Sequence, residues 1–301
     1  MAKARDLKRR IRSIDNTRQI TKTMEMVAAS KLKRAQDRVV AARPFDEFMR
    51  QVIARVRQGA PQSEAVHPLL RDHVATGRAG LIVITSNRGL AGAFNANLVR
   101  TARHKVRELS DEGLAIELHV VGKKGATMLR YQGSAPDRVV TDLTDRPSFE
   151  EAEAVAGPLV DAFVDGRLDA VWLVYSHFQS PVEQRPVAAR LLPLPLAEEE
   201  GATSGEERRY DPIYEFLPSP REILVRLLPL YVRYGVYRAI IESAASEHGA
   251  RRTAMKNATD NAEDIIKDLT RSYNRVRQAQ ITQEIAELVG GAEALRGKRG
   301  A

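Results

Sequence analysis

The chain has 301 residues, of which 43% are hydrophobic and only 5% aromatic. It contains no cysteine, which excludes disulfide bonds, thiolate metal sites and cysteine nucleophiles. No secretory segment opens the sequence, and no stretch approaches the ~18 consecutive apolar residues of a membrane helix. We therefore expect a soluble cytosolic protein with a globular core in part of the chain.

The net charge of +8 is concentrated at the N-terminal end. Residues 1–57 contain 16 Lys and Arg against 6 Asp and Glu, whereas the remainder contains 31 against 33. Nucleic acid is one possible partner for such a segment. However, Leu7, Ile11 and Ile14 interleave with the basic residues at helical spacing, and no aromatic residue lies nearby to stack on bases. A rod-shaped interaction helix is the better interpretation.

The first predicted element is this N-terminal helix, residues 1–58. Asp6 favours a helix start, and Pro44 should kink the helix or remove its hydrogen bond toward Val40. A linker is predicted at 59–79, which contains Pro61 and Pro68. The apolar positions form one broad stripe: Leu7, Ile11, Ile14, Ile20, Met24, Val27, Leu32, Val39, Phe48, Val52 and Val56.

Residues 80–210 change to a pattern of alternating strands and helices. Strands are predicted near 81–84, 114–121, 139–140 and 170–176, with a further edge strand at 187–194. Helices are predicted at 93–109, 124–132 and 148–165. Such alternation predicts a Rossmann-like α/β domain with a mostly parallel sheet covered on both faces.

The last predicted helix spans 211–290, followed by a tail at 291–301. It is too polar to cross a membrane, and at about 1.5 Å per residue it reaches on the order of 100 Å. Its spacing near 3.5 residues predicts a coiled coil, and antiparallel pairing with the first helix gives it a partner. The predicted seam comprises Ile241, Ala245, His248, Arg252, Met255, Thr259, Ala262, Ile266, Leu269, Tyr273 and Val276.

Two turns and the six histidines are the candidates for sites of chemistry. The turns at 86–92 and 122–125 follow strands and precede helices, but neither matches a dinucleotide or Walker phosphate motif. A structural role for their glycines is favoured. The six histidines lack metal-ligand spacing, and no nucleophile-elbow motif is present. We expect no catalytic residues, no cofactor and no metal, although a nucleotide-binding Rossmann protein and a basic DNA-binding coiled coil remain alternatives.

Four segments resemble the gamma subunit of F-type ATP synthase. They are residues 20–31 (ITKTMEMVAASK), 254–262 (AMKNATDNA), 277–285 (RQAQITQEI) and the turn at 85–92. In that turn Asn87 replaces an Asp of the family pattern and Ala91 replaces a Cys. The resemblance covers essentially the whole chain in order.

The resemblance implies a non-catalytic central-stalk rotor that couples transmembrane ion flow to ATP synthesis or hydrolysis in the beta subunits by rotation. The implied partners are the alpha and beta subunits, the epsilon subunit and the ring of c subunits, with no nucleic acid. The membrane is reached only through the c ring, on the cytoplasmic face of a bacterial plasma membrane.

The resemblance also assigns contact residues. Those matching contacts with a beta subunit are Lys22, Met24, Arg251, Arg277, Gln278, Thr282 and Glu284. Tyr214 and Glu215 match the region that faces the c ring and epsilon, in a loop that otherwise departs from the family pattern.

Overall fold

A computed structural model describes residues 2–58, 68–70, 76–143, 147–194, 217 and 219–297. A short 3₁₀ turn, Pro68–Leu70, follows the first helix. The helices and strands, in chain order, are α1 Ala2–Gln58, β1 Arg78–Ile84, α2 Phe94–Asp111, β2 Ala115–Val121, α3 Lys123–Tyr131, β3 Arg138–Val140, α4 Phe149–Val164, β4 Ala170–Phe178, β5 Gln184–Leu192 and α5 Pro220–Gly297.

These elements confirm the predicted fold class. Every strand and helix predicted in the middle segment is found, with bounds shifted by about three residues at most. The long terminal helices are also found, and α1 continues through Pro44. Proline has no N–H, so the bond toward Val40 is absent without ending the helix.

The chain divides into two compact units. One, called here the helix-pair unit, consists of Met1–Ala28 and Arg252–Ala301. The other, the α/β unit, is Ala29–Arg251 and contains the sheet. Helices α1 and α5 each contribute residues to both.

The sheet of the α/β unit has the strand order β3-β2-β1-β4-β5. The first four strands are parallel, and β5 pairs antiparallel with β4 at the edge. Parallel neighbours need long crossover connections, which α2, α3 and α4 supply. The mostly parallel sheet and its extra edge strand agree with the predicted architecture.

Both faces of the sheet are covered, as continuous apolar strands require. On β1, Leu81 and Val83 point to one face and pack with α2 and α3. Ile82 and Ile84 point to the other face and pack with α4 and with α5 residues from 224 to 240. The first part of α5 is therefore a layer of the globular core.

The glycines at 122–125 are required by close packing. A Cβ on Gly122, whose φ is +96°, would lie 2.4 Å from the Thr85 carbonyl oxygen, and one on Gly125 would lie 2.4 Å from the Thr85 side chain. The Thr85 hydroxyl donates to Val121 O at 2.6 Å and accepts from Gly125 N at 3.1 Å. This turn connects β2 to α3 and packs against Thr85 at the end of β1, which supports its structural interpretation.

The buried stripe of α1 differs from the predicted one. Ile20, Val27 and Phe48 are exposed, so their assignment to the stripe was wrong. The prediction followed large apolar side chains, whereas much of the observed stripe consists of small ones that permit close helix approach. The most deeply buried residues recur at steps of three, four, seven or ten, as positions on one helix face do: Thr21, Ala28, Leu32, Ala35, Val39, Met49 and Val56.

The predicted seam of α5 needs one correction. Arg252 is exposed and its neighbour Arg251 is buried, while His248, Met255, Thr259 and Ala262 are buried as expected. Long side chains obscure a heptad pattern because an arginine can occupy either a seam or a flanking position.

Candidate subunit-contact site

Within the helix-pair unit, α1 and α5 run antiparallel. The Thr259 hydroxyl donates to Thr21 Oγ1 at 2.8 Å, and the Thr21 hydroxyl donates to Arg18 O at 3.0 Å. One turn earlier on α1, Arg18 Nη1 lies 3.3 Å from Glu263 Oε1. The α1 number falls as the α5 number rises, which fixes the antiparallel direction. The buried threonine pair satisfies its own polar atoms and permits close approach.

The end of α5 extends past the start of α1. Thr21 lies opposite Thr259. Counting back from Thr21 along α1 and forward from Thr259 along α5, one residue at a time on each helix, places Ala2 opposite about residue 278. Every residue from 281 to 290 is exposed. Residues 281–297, called here the α5 tip, span about 25 Å at 1.5 Å per residue. From 281 to 290, α5 therefore presents its whole circumference to solvent or to another chain.

The C-terminal residues of the predicted site lie together at the base of the α5 tip. Arg277, Gln278, Thr282 and Glu284 are all exposed on consecutive turns. Gln278 and Thr282 are one turn apart on the same face, and Arg277 and Glu284 are two turns apart on the next face. They form one polar surface about 10 Å long.

Sequence reasoning missed an apolar stripe beside these polar residues. Ile281 is 44% exposed, Ile285 56% and Leu288 75%, at the spacing i, i+4, i+7 of one helix face. The stripe is offset by one residue from the continuation of the Leu269, Val276 seam. That shift was visible in the sequence as a change in heptad register, and it indicates that these residues face something other than α1.

Lys22 and Met24 occupy the N-terminal part of the helix pair. Lys22 is exposed and forms an ion pair with Glu25, Nζ to Oε2 3.1 Å. Met24 is half-buried. Both are accessible at least in part, and an exposed ion pair of this kind contributes about 0–1 kcal/mol.

Arg251 is placed differently from the other predicted contact residues. Its side chain is buried in the α/β unit, where Nη2 lies 2.7 Å from Glu247 Oε1. The same nitrogen donates to Gly89 O at 3.3 Å and approaches Arg88 O at 3.4 Å. Because the guanidinium is committed to these internal bonds, it does not offer a free surface to a partner chain.

Tyr214 and Glu215, the residues assigned to the c ring and epsilon, lie outside the described residues. Among the described helices none is long and apolar enough to cross a membrane. In the same part of the chain no cluster of three or more His, Asp or Glu side chains could hold a metal ion.

The turn after β1 is closed by its own hydrogen bonds. Ser86 N donates to Asn95 Oδ1 at 3.0 Å, and Asn87 Nδ2 donates to Thr141 O at 2.9 Å. Asn87 Oδ1 also accepts from Lys123 N at 3.1 Å, at the start of α3. The side chains of Asn95 in α2 and of Asn87 in the turn thus occupy backbone donors that a phosphate loop would direct at its ligand, which favours the structural interpretation.

A family model described as ATP synthase matches residues 3–295 of the chain. The chain is 48% identical over 299 residues to the ATP synthase gamma chain of Gemmatimonas aurantiaca, covering 99% of this chain and all of that one. It is 45% identical over 295 residues to the ATP synthase gamma chain of Frankia casuarinae, covering 97% of each.

Solved structures show the same fold. A chain from the central stalk and c-ring structure of the Tetrahymena thermophila mitochondrial ATP synthase is 28% identical with a TM-score of 0.53, over 79% of this chain and 99% of that one. A chain from the Euglena gracilis mitochondrial ATP synthase is 20% identical with a TM-score of 0.62, over 100% and 97%. The second likeness concerns the fold alone.

Proposed function

The chain belongs to the ATP synthase gamma chain family, and we propose that it is the non-catalytic central-stalk rotor of a bacterial F-type ATP synthase. In this role it couples transmembrane ion flow to ATP synthesis or hydrolysis in the beta subunits by rotation. The observation that carries the proposal is the antiparallel helix pair with an exposed α5 tip. A helix segment whose residues 281–290 are all exposed among the described part of the chain has the form of an axle inserted into a sleeve.

The proposed partners are the alpha and beta subunits around the helix pair, with epsilon and the c-subunit ring at the α/β unit. The polar surface at the base of the α5 tip, formed by Arg277, Gln278, Thr282 and Glu284, contacts a beta subunit. Lys22 and Met24 contribute a second beta contact on α1. Arg251 is left out of this surface because its guanidinium is buried.

Tyr214 and Glu215 are proposed to face the c ring and epsilon on the strength of the resemblance. The c ring would then be the only link to the membrane, and the protein would lie at the cytoplasmic face of the plasma membrane. The absence of a spanning helix among the described residues is compatible with this placement.

The polar residues Arg277, Gln278, Thr282 and Glu284 suit a rotating contact. Each contact must form and break at every step, so weak exposed polar interactions of about 0–1 kcal/mol are favourable, whereas a large apolar interface would hold the rotor in one position. The excess positive charge of residues 1–57 would face acidic grooves of the surrounding subunits and help to seat the shaft.

Co-expression with the alpha, beta and epsilon subunits of a bacterial relative tests the proposal. We expect a stable complex in which alpha and beta are in molar excess over this chain. A bead attached to the α/β unit should rotate in one direction while ATP is hydrolysed. Failure to assemble, or assembly without rotation, would contradict the rotor function.

Two binding measurements test the alternatives. Micromolar nucleotide binding by the full chain would favour a nucleotide-binding protein, which the self-bonded turn after β1 argues against. Duplex DNA binding that weakens steeply with salt would favour a DNA-binding coiled coil. We expect neither at physiological salt.

A further inference from the structure

Buried polar side chains are concentrated on one short stretch of α5, residues 242–251. Five of the twelve buried polar or charged residues in the described part of the chain lie there, namely Glu242, Ser243, Ser246, His248 and Arg251. A buried polar group is costly unless it forms hydrogen bonds. The hydrogen bonds that these side chains form therefore hold residues 242–251 in a defined position.

Two serines complete the hydrogen bonding at the end of β4. The pairing of β1 with β4 ends two residues before Ser176. On the other side Ser176 lies opposite Pro186 of β5. Ser176 N donates to Ser243 Oγ at 3.1 Å, and Ser246 Oγ donates to Ser176 O at 3.2 Å. Side chains of α5 thus take the place of a missing strand.

Glu242 extends this contact to the next two residues of β4. Its Oε2 lies 2.6 Å from His177 Nδ1 and accepts from Phe178 N at 3.4 Å. Its Oε1 lies 3.6 Å from Arg238 Nε, and Arg238 Nη1 donates to Asp46 Oδ2 of α1 at 2.6 Å. The end of β4 is therefore connected through charged groups to both long helices within the α/β unit.

Arg251 forms a separate attachment, to the turn after β1. It holds the carbonyl groups of Arg88 and Gly89 and is itself oriented by Glu247. The next residue, Leu90, has φ of +63°, in the left-handed region that side chains other than glycine seldom adopt. Arg251 thus fixes a turn whose backbone is under conformational strain.

The polar character of these attachments has a mechanical consequence. The hydrophobic effect is non-directional, so apolar burial holds α5 against the sheet without selecting individual bond directions. Hydrogen bonds weaken steeply when donor and acceptor are misaligned. Bonds from one helix to two different segments of the sheet domain directly oppose rotation of the helix about its axis.

We propose that residues 242–251 of α5, called here the polar joint, fix α5 against rotation about its own axis and transmit torque between α5 and the α/β unit. The inference rests on the proposed rotor function. Ser243, Ser246 and Arg251 act as positioning residues in it: they hold the shaft in a defined angular position and touch no nucleotide.

Amide hydrogen exchange of the full chain tests the joint directly. In a Ser243→Ala/Ser246→Ala variant, the Ser176 amide should exchange at least ten times faster because its acceptor hydroxyl is gone. The matched control is Ser272→Ala, which removes an exposed hydroxyl from the same helix. Unchanged exchange at Ser176, or an equal rise in the β1 amides that indicates global unfolding, would overturn the proposal.

Single-molecule rotation of the assembled complex tests the mechanical role. Because the chain has no cysteine, Tyr131→Cys on the exposed surface of α3 gives a unique attachment point for a bead on the α/β unit. In the double serine variant and in Arg251→Gln, the stall torque on the bead should fall by at least half, while unloaded ATP hydrolysis stays within twofold of wild type. Arg252→Gln, an exposed neighbour, is the control and should keep full torque.

The two proposals fail in different ways. Wild-type torque in both joint variants would overturn the polar joint and leave the rotor function intact. A wild-type complex that assembles without turning the bead, or does not assemble, would instead contradict the rotor function itself.

Discussion

The two halves of α5 have opposite surfaces although they belong to one continuous helix. None of residues 239–251 is exposed, because this part is a layer of the α/β unit. From 252 to 280 the protected residues form one narrow stripe that recurs every three or four positions, and from 281 to 290 all residues are exposed. Between 239 and 251 the side chains are constrained by packing within the chain. Between 252 and 290 most side chains are exposed and can contact other subunits. Substitutions at matched positions can measure this difference.

The largest difference is expected for truncation of a core residue. Leu228→Ala removes a fully buried side chain in the α/β unit and should lower the free energy of unfolding by about 2–5 kcal/mol. Ile281→Ala on the α5 tip should change it by less than about 0.5 kcal/mol. Denaturant unfolding followed by the fluorescence of Trp172, the only tryptophan, reports the first change. Equal effects of the two substitutions would contradict the comparison.

Enlarging a small residue should give the next largest difference. Ala245 is fully buried and packs with Leu32 and Ala35 of α1 within the α/β unit. Ala245→Leu should cost about 1–3 kcal/mol through overpacking, while Ala279→Leu at an exposed position should be close to neutral. Circular dichroism during thermal unfolding provides the measurement, and a neutral Ala245→Leu would show that the helices can move apart at no cost.

Side-chain size decided which elements and which buried helix faces could be predicted from the sequence. The strands and helices of the middle segment followed from period and turn residues, so their bounds were predicted well. The α1 stripe was misassigned at Ile20, Val27 and Phe48 because large apolar residues were favoured over Thr21 and Ala28. Small residues carry little hydrophobic signal, yet they mark the closest helix contacts.

The candidate site divides in a similar way. Arg277 and Gln278, at the base of the α5 tip, were identified by resemblance, and their exposure agrees with a contact role. Burial of Arg251 could not be predicted, because periodicity does not distinguish it from its neighbour Arg252. Its bonds to the turn at 88–89 depend on tertiary structure that no local pattern encodes.

The hydrogen bond between Thr21 and Thr259 can be used to test how specifically α1 and α5 pack together in the helix-pair unit. Thr259→Val removes the hydroxyl that donates to Thr21, which should cost about 1 kcal/mol. The Thr21→Val/Thr259→Val double variant should cost less than the sum of the single changes, since neither hydroxyl is then left alone. Helix content followed by circular dichroism in a double-mutant cycle measures the coupling. Strict additivity would exclude a specific bond between the two threonines.

Acid should affect the α/β unit through His119. Burial lowers the pKa of His119, and the neighbouring Glu117, 3.0 Å away, opposes this only in part. The stabilising effect of the neutral ring is therefore present above the ordinary pKa of about 6.5 and is lost as the pH falls toward the lowered folded value. His119→Gln should reduce the loss of stability between pH 7.5 and 5.5, measured by Trp172 fluorescence. An unchanged pH dependence would show that the ring charges without penalty.

The smallest effect on folding should accompany a large effect on function. Arg277→Ala/Gln278→Ala alters two exposed side chains beside the α5 tip, so the free energy of unfolding should change by less than about 0.5 kcal/mol. If these side chains contact a beta subunit, the assembled complex should lose torque or coupling between ATP hydrolysis and rotation. The matched control is Arg271→Ala/Ser272→Ala, an exposed pair in the part of α5 that runs beside α1. A double variant that assembles and rotates like wild type would remove this polar surface from the mechanism and leave the apolar stripe of Ile281, Ile285 and Leu288 as the remaining contact surface of the tip.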